Sequence, residues 1–179
     1  MGGRSGDSNS ISESFKRRAD SSAFFEAWVG AVLSRHNLFT CHHPFTLAAE
    51  TGNSLSFYAH SWDLDVSPDN LLFLPVEVKS VNLKFTEPND YPHLGVLVCS
   101  EASWRNKWSD GERTMRDFLM VSRLTGGIAW LPKGVDVGRT EVEDKTRGEK
   151  YWCKTTHKSE LRTLAEFVHH AQTHTMNKS

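Results

Sequence analysis

The sequence predicts an α/β domain built on a mixed central β-sheet flanked by helices. Three observations predict it. A helical periodicity opens the ordered part of the chain, apolar or alternating runs separated by turn residues fill its middle, and helical periodicity returns after them. At 179 residues the chain suits one compact domain with its own core. That domain is expected over residues 21–175, with 1–20 a disordered tail rich in Gly and Ser and 176–179 a short tail.

The elements follow in order. Lys16, Arg17 and Arg18 could touch a phosphate backbone, although a solvated tail is the simpler account. From Ser21 or Ser22, either a suitable N-cap, a helix is predicted to about Asn37, with Phe25, Trp28, Val29 and Val32 on its buried face and Glu26 beside it. Residues 44–50 and 54–60 read as strands joined by Thr51, Gly52 and Asn53. A hairpin follows: Asp63 and Asp65 end one strand, Ser67, Pro68, Asp69 and Asn70 supply turn chemistry, and 71–81 is an apolar run suited to a buried strand. Residues 87–92 form a loop and 94–99 a buried strand. Ser109 and Glu112 have capping-box spacing, and Met115, Phe118, Leu119 and Ser122 give the next helix an apolar face, ended by Gly126 and Gly127. Residues 128–131 are a short strand closed by Pro132, 133–150 a polar excursion, and 151–154 an edge strand. Leu161, Leu164, Ala165 and Val168 mark a last amphipathic helix.

The hairpin carries the chemistry. Side chains alternate along a strand, so Asp63 and Asp65 share a face, as do Glu77 and Lys79, while Val76, Val78 and Val81 face away or flank them. A carboxylate among apolar neighbours needs a partner, a raised pKa or a metal ion. Mg²⁺ or Mn²⁺ answers that need with one or two carboxylates, a backbone carbonyl and water. The plainer account of Glu77 and Lys79 is a solvated pair that discourages pairing at an exposed strand edge.

Asp65, eleven intervening residues and then Glu77-Val78-Lys79 resemble the PD-(D/E)XK nuclease superfamily, which includes many restriction endonucleases, Holliday-junction resolvases and phage exonucleases. The resemblance spans residues 21–132 by order of elements, and four or five residues carry it. It implies a restriction endonuclease-like core and a Mg²⁺- or Mn²⁺-dependent deoxyribonuclease, an endonuclease of restriction, junction-resolving or mobile-element type acting on duplex or branched DNA. In that family the aspartate opens the strand before the E-x-K strand, and a helical glutamate often completes the site. Carried onto this chain, Asp65, Glu77, Lys79 and Glu26 are the catalytic set, and Asp65, Glu77, the Val78 carbonyl and Asp63 the metal ligands. Asp69 supplies the literal letters PD but belongs to the turn, so the order of preference is Asp65, Asp63, Asp69. A homodimer would give two centres for two strands.

Trp104, Arg105, Lys107 and Trp108 interleave aromatic and basic groups in a loop over 100–110, a pattern suited to stacking bases, with Arg113 and Arg116 outward on the following helix. Two tryptophans anchoring the loop to the core are an equal account. Cys41, His42 and His43 with Cys153 and His157 lack a standard zinc spacing. His36, His170 and His174 lie near helix ends, where the dipole suffices to explain them, although some superfamily members use a histidine of the first helix as a metal ligand.

Net charge is −1, with 7 basic against 11 acidic residues in 1–90 and 14 against 11 in 91–179, so the basic surface is expected in the second half. Three cysteines, no apolar run near membrane-spanning length and no secretory core point to cytoplasm. Two other classes stay open: a non-catalytic nucleic-acid-binding or assembly protein on the same fold, and a protein-interaction domain using its tryptophans.

Overall fold

The computed structural model describes residues 22–43, 46–47, 57–58, 62–107, 116–144 and 148–174. The proposed tails, the 109–112 capping box, Met115, Trp108 and Arg113 lie outside them.

Helix α1 covers 22–34. It stops short of Asn37 because the chain closes a Schellman turn: Asn37 takes φ 60° and its N–H donates to Ser34 at 3.1 Å, while the Leu38 N–H donates to Leu33 at 3.3 Å. Leu33 and Leu38 then pack in the same core. Strand β1, Phe39–His42, was not foreseen; its Phe-Thr-Cys-His sequence carries no clear alternation. Short strands β2, Thr46–Leu47, and β3, Phe57–Tyr58, pair antiparallel within the two stretches predicted as strands.

The central hairpin forms as β4, Leu64–Ser67, and β5, Leu74–Val81. β5 begins three residues later than expected. The Asp69 carboxylate accepts from the N–H groups of Leu71 and Leu72 at 2.9 and 3.2 Å and draws them into the turn, with Asn70 at φ 60°. β6, Gly95–Ser100, leads into α2, Glu101–Lys107, a helix where a loop was expected.

The expected helix through Phe118 and Ser122 is corrected to strand β7, Asp117–Ser122, all six residues of which are buried. It lies inside the sheet with cores on both faces, so it carries no polar stripe, and an apolar run of this length fits either periodicity. Gly126 and Gly127 form the turn to β8, Ile128–Leu131. A Cβ on Gly127 would strike the Phe85 carbonyl, so the turn is held backbone against backbone. The polar excursion is also corrected. Much of it is β9, Gly138–Asp144, paired with β10, Glu149–His157, which is the middle strand of its sheet rather than an edge. β11, Arg162–Thr163, precedes α3, Leu164–Thr173, whose capping box joins Thr163 and Glu166.

A six-stranded mixed sheet runs β1-β4-β5-β7-β8-β11, antiparallel throughout except for the parallel pair β5 and β7. On one face, Val29 and Leu33 of α1 and Phe167, Val168 and Ala171 of α3 pack on Leu64, Val66, Val76, Val78, Leu119 and Val121. Helices do not flank the other face equally. There a three-stranded sheet, β6-β10-β9, brings Val96 and Val98 with Trp104 of α2 onto Phe118, Met120, Ala129 and Leu131. Among the described residues no helix is long and apolar enough to cross a membrane.

Candidate active site

β5 is an interior strand, paired with β4 on one side and β7 on the other. The β4 ladder ends at Val76, so Glu77 and Lys79 are paired with β7 alone, and the Lys79 ammonium turns onto the second sheet rather than out to solvent as the edge-strand account expects. Register then places the charged residues in rows. Asp65 lies opposite Pro75 and Leu64 opposite Val76, so the next row brings Asp63 to Glu77; across the parallel pair Glu77 faces Phe118 and Lys79 faces Met120. Residues in one row share a face, and so do alternate residues along each strand. Asp63, Asp65, Glu77, Lys79 and, one position before β7, Arg116 therefore belong to one face.

Asp63 is built into the hairpin. Its N–H donates to the Val76 carbonyl at 3.1 Å, and its carboxylate accepts the Val78 N–H at 2.7 Å. The carboxylate thus replaces a main-chain acceptor where the β4 ladder ends, and it is fixed beside Glu77. Asp65, first in the order of preference, sits two rows away with both oxygens engaged: Trp62 Nε1 donates to Oδ1 at 2.8 Å and His43 Nε2 lies 2.7 Å from Oδ2. His43 meets the Trp62 ring edge-on at 5.6 Å, so the three side chains brace one another. Asp69 is at the far end of the hairpin. Bonds from Leu71 and Leu72 hold its carboxyl below the usual carboxylate range, and its place is in the turn.

Lys79 points its ammonium at the second sheet, donating to the carbonyls of Leu97 at 2.8 Å and Val98. Burial pushes its pKa down, and Cys99, Cys153 and Glu77 act in the opposite sense. Arg116, expected outward on a helix, instead lies on the face of Glu77 with its guanidinium 4.8 Å from the centre of the Trp62 ring. Burial lowers its pKa as well, while the charges of Glu77 and Asp63 raise it. Lys79 and Arg116 therefore bracket the carboxylate row.

Glu26 takes a bond from Ser22 at 2.8 Å on α1, the helix that covers the opposite face. The stretch proposed to stack bases is helical over 101–107. Trp104 is 4% exposed in the second core, with the Lys154 ammonium over its ring at 5.6 Å. Arg105 is exposed and pairs with Glu101 at 3.5 Å, and Lys107 ends α2. An exposed aromatic–basic contact lies elsewhere: Arg139 covers Trp152 at 4.1 Å on the β9–β10 hairpin.

The carbonyl of His36 accepts a bond from Gln172, tying α1 to α3, and the His170 ring stacks on Trp130 at 5.0 Å with His174 5.9 Å away. Among the described residues no group of three or more His, Cys, Asp and Glu side chains is placed to hold a metal ion. Reading a strand at 117–122 would have put Arg116, Phe118 and Met120 on one face and found the arginine; nothing in the sequence marked Trp62 and His43 as the brace of Asp65. Compared with known proteins, the chain matches no family model, no curated protein and no solved structure.

Proposed function

We propose that the chain is a Mg²⁺- or Mn²⁺-dependent nuclease that hydrolyses phosphodiester bonds in DNA, on a core of the restriction endonuclease-like kind. One observation carries the reading: Asp63, Glu77 and Lys79 share a face of an interior hairpin, with the aspartate locked beside the E-x-K strand by the Val78 N–H. A helix before the sheet and a hairpin that carries the E-x-K strand support the reading, while the path from β5 to the parallel β7 runs through β6 and α2.

The donor chemistry fits the ion. Mg²⁺ accepts one or two carboxylates and keeps several waters, so Asp63, Glu77 and the Val78 carbonyl are a sufficient protein share without a third acidic or imidazole side chain. Such an ion, when bound, supplies an activated water and offsets charge on the departing oxygen. The chain's own groups do the rest. Asp63 and Glu77 hold the ion's place, Lys79 orients the attacking water or balances charge on the phosphoryl oxygens, and β6 fixes the lysine through its two carbonyls. Asp65 positions Trp62 rather than serving as a ligand.

Cleavage of supercoiled plasmid and of a branched junction in Mg²⁺, Mn²⁺ and EDTA tests this, with Glu77→Ala beside the wild type. Metal-dependent cutting lost in the variant supports the nuclease, and the substrate preferred separates duplex from junction specificity. A second reading, a DNA-binding protein that uses the same fold without cleavage, is favoured by the Lys79 ammonium being directed at two main-chain carbonyls. Salt-sensitive binding with no cutting under any metal would establish it.

A further inference from the structure

We propose that Arg116 is the resident counter-cation of the Asp63 and Glu77 pair, and that it yields this position to a divalent ion and turns to the phosphate of the substrate. The inference rests on the metal-dependent reading above.

Three features place Arg116 in this role. First, it comes from the far side of β5. The parallel register sets Val76 opposite Asp117, so Arg116 lies level with Pro75, on the face of Glu77 and two rows from it, and approaches the carboxylates from the side opposite β4. Second, its neighbours justify its charge. A guanidinium withdrawn from water is costly unless anions stand close, and those felt here are Glu77 and Asp63. Third, it rests on a fixed shelf. The Trp62 ring under the guanidinium is pinned at its own N–H by Asp65 and braced by His43. A planar cation held over a ring can slide across it while keeping the contact, which a point-charge lysine does less well.

Charge counting gives the exchange its direction. Without metal, two carboxylates face two cations, Lys79 and Arg116, and the group is neutral. A divalent ion between the carboxylates leaves two positive charges in excess, and repels a guanidinium on the same oxygens. A phosphodiester and the hydroxide that attacks it would cancel that excess, and Arg116 can grip a phosphate with two parallel N–H bonds.

The test is Mn²⁺ binding by calorimetry to the full chain, comparing wild type, Arg116→Gln, Arg116→Lys and Glu77→Gln, with binding to a short DNA duplex in non-cleaving Ca²⁺ measured alongside. Arg116→Gln should bind Mn²⁺ about tenfold tighter, since a loss of 1.4 kcal/mol of repulsion gives that factor, yet bind DNA more weakly. Arg116→Lys should keep Mn²⁺ affinity near that of wild type, and Glu77→Gln should lose it. Equal or weaker Mn²⁺ binding by Arg116→Gln overturns the exchange and leaves the metal-dependent reading standing. No Mn²⁺ binding by wild type overturns both. If Arg116→Gln does not fold, tryptophan fluorescence in Mg²⁺ decides instead. A change in wild type that is absent from Trp62→Phe supports the exchange, and no change in wild type overturns it.

Discussion

The two faces of the six-stranded sheet bury their side chains under different covers. One presents Leu64, Val66, Val76, Val78, Leu119 and Val121 to two helices. The other begins with Asp63, Asp65, Glu77, Lys79 and Arg116 and becomes apolar only at Phe118, Met120, Ala129 and Leu131, beneath a second sheet. Alternation along β4 and β5 makes the contrast complete: each charged residue has an apolar neighbour pointing the other way. Charge turned inward, as at Lys79, does not serve solubility, and it costs desolvation. Its collection in adjacent rows of one face is the physical case for a functional site there. The apolar face also holds a carboxylate, Asp117, whose Oδ1 accepts from Trp130 Nε1 at 2.7 Å and the Lys133 N–H at 3.1 Å, while its Oδ2 lies 3.9 Å from His170 Nε2.

The contrast can be broken from either side. The largest effect belongs to the charged face: Lys79→Ala should cut the rate of DNA cleavage by about 10²–10³ in a single-turnover assay, with little change in the denaturation midpoint beyond the loss of its two carbonyl bonds. On the apolar face Leu119→Ala should cost about 2–5 kcal/mol in urea unfolding and leave the metal dependence of cleavage unchanged. A finer division lies within the charged face. Asp63→Asn should abolish Mn²⁺ binding as Glu77→Gln does, whereas Asp65→Asn should retain it and lose activity through a displaced Trp62; Mn²⁺ titration of the two variants distinguishes ligand from brace.

The smallest effect concerns the turn. The Asp69 carboxyl titrates below its ordinary value in the folded chain, so its stabilisation is complete above the ordinary carboxylate range and is lost as pH falls through the lowered value. Asp69→Asn should therefore flatten the acid limb of the stability curve, as thermal melts across pH 2 to 6 would record, while cleavage at neutral pH is unaffected.

How far the sequence could be read depended on how many faces an element buries. The hairpin was legible because β4 and β5 alternate between a core and a polar face. β7 was not, since Phe118, Leu119, Met120 and Val121 are buried alike and leave periodicity nothing to report. The choice between Asp63 and Asp65 turned on register, and register turned on Asp69 capturing the N–H groups of Leu71 and Leu72. Trp104 and Arg105 looked alike in a string of aromatic and basic letters; only the helix that turns one inward and the other out separates them.

The parallel pairing of β5 with β7 has a consequence in time. Asp63 and Glu77 meet across the short connection 68–73 and can find each other early, while Arg116 arrives only after the chain has traversed β6 and α2 and returned to the sheet. Local contacts close quickly and distant ones slowly. A nascent chain would hold its acidic pair before its arginine, and the full charge constellation would exist only once the crossover has closed. For a protein proposed to cut DNA, that ordering ties competence to completed folding.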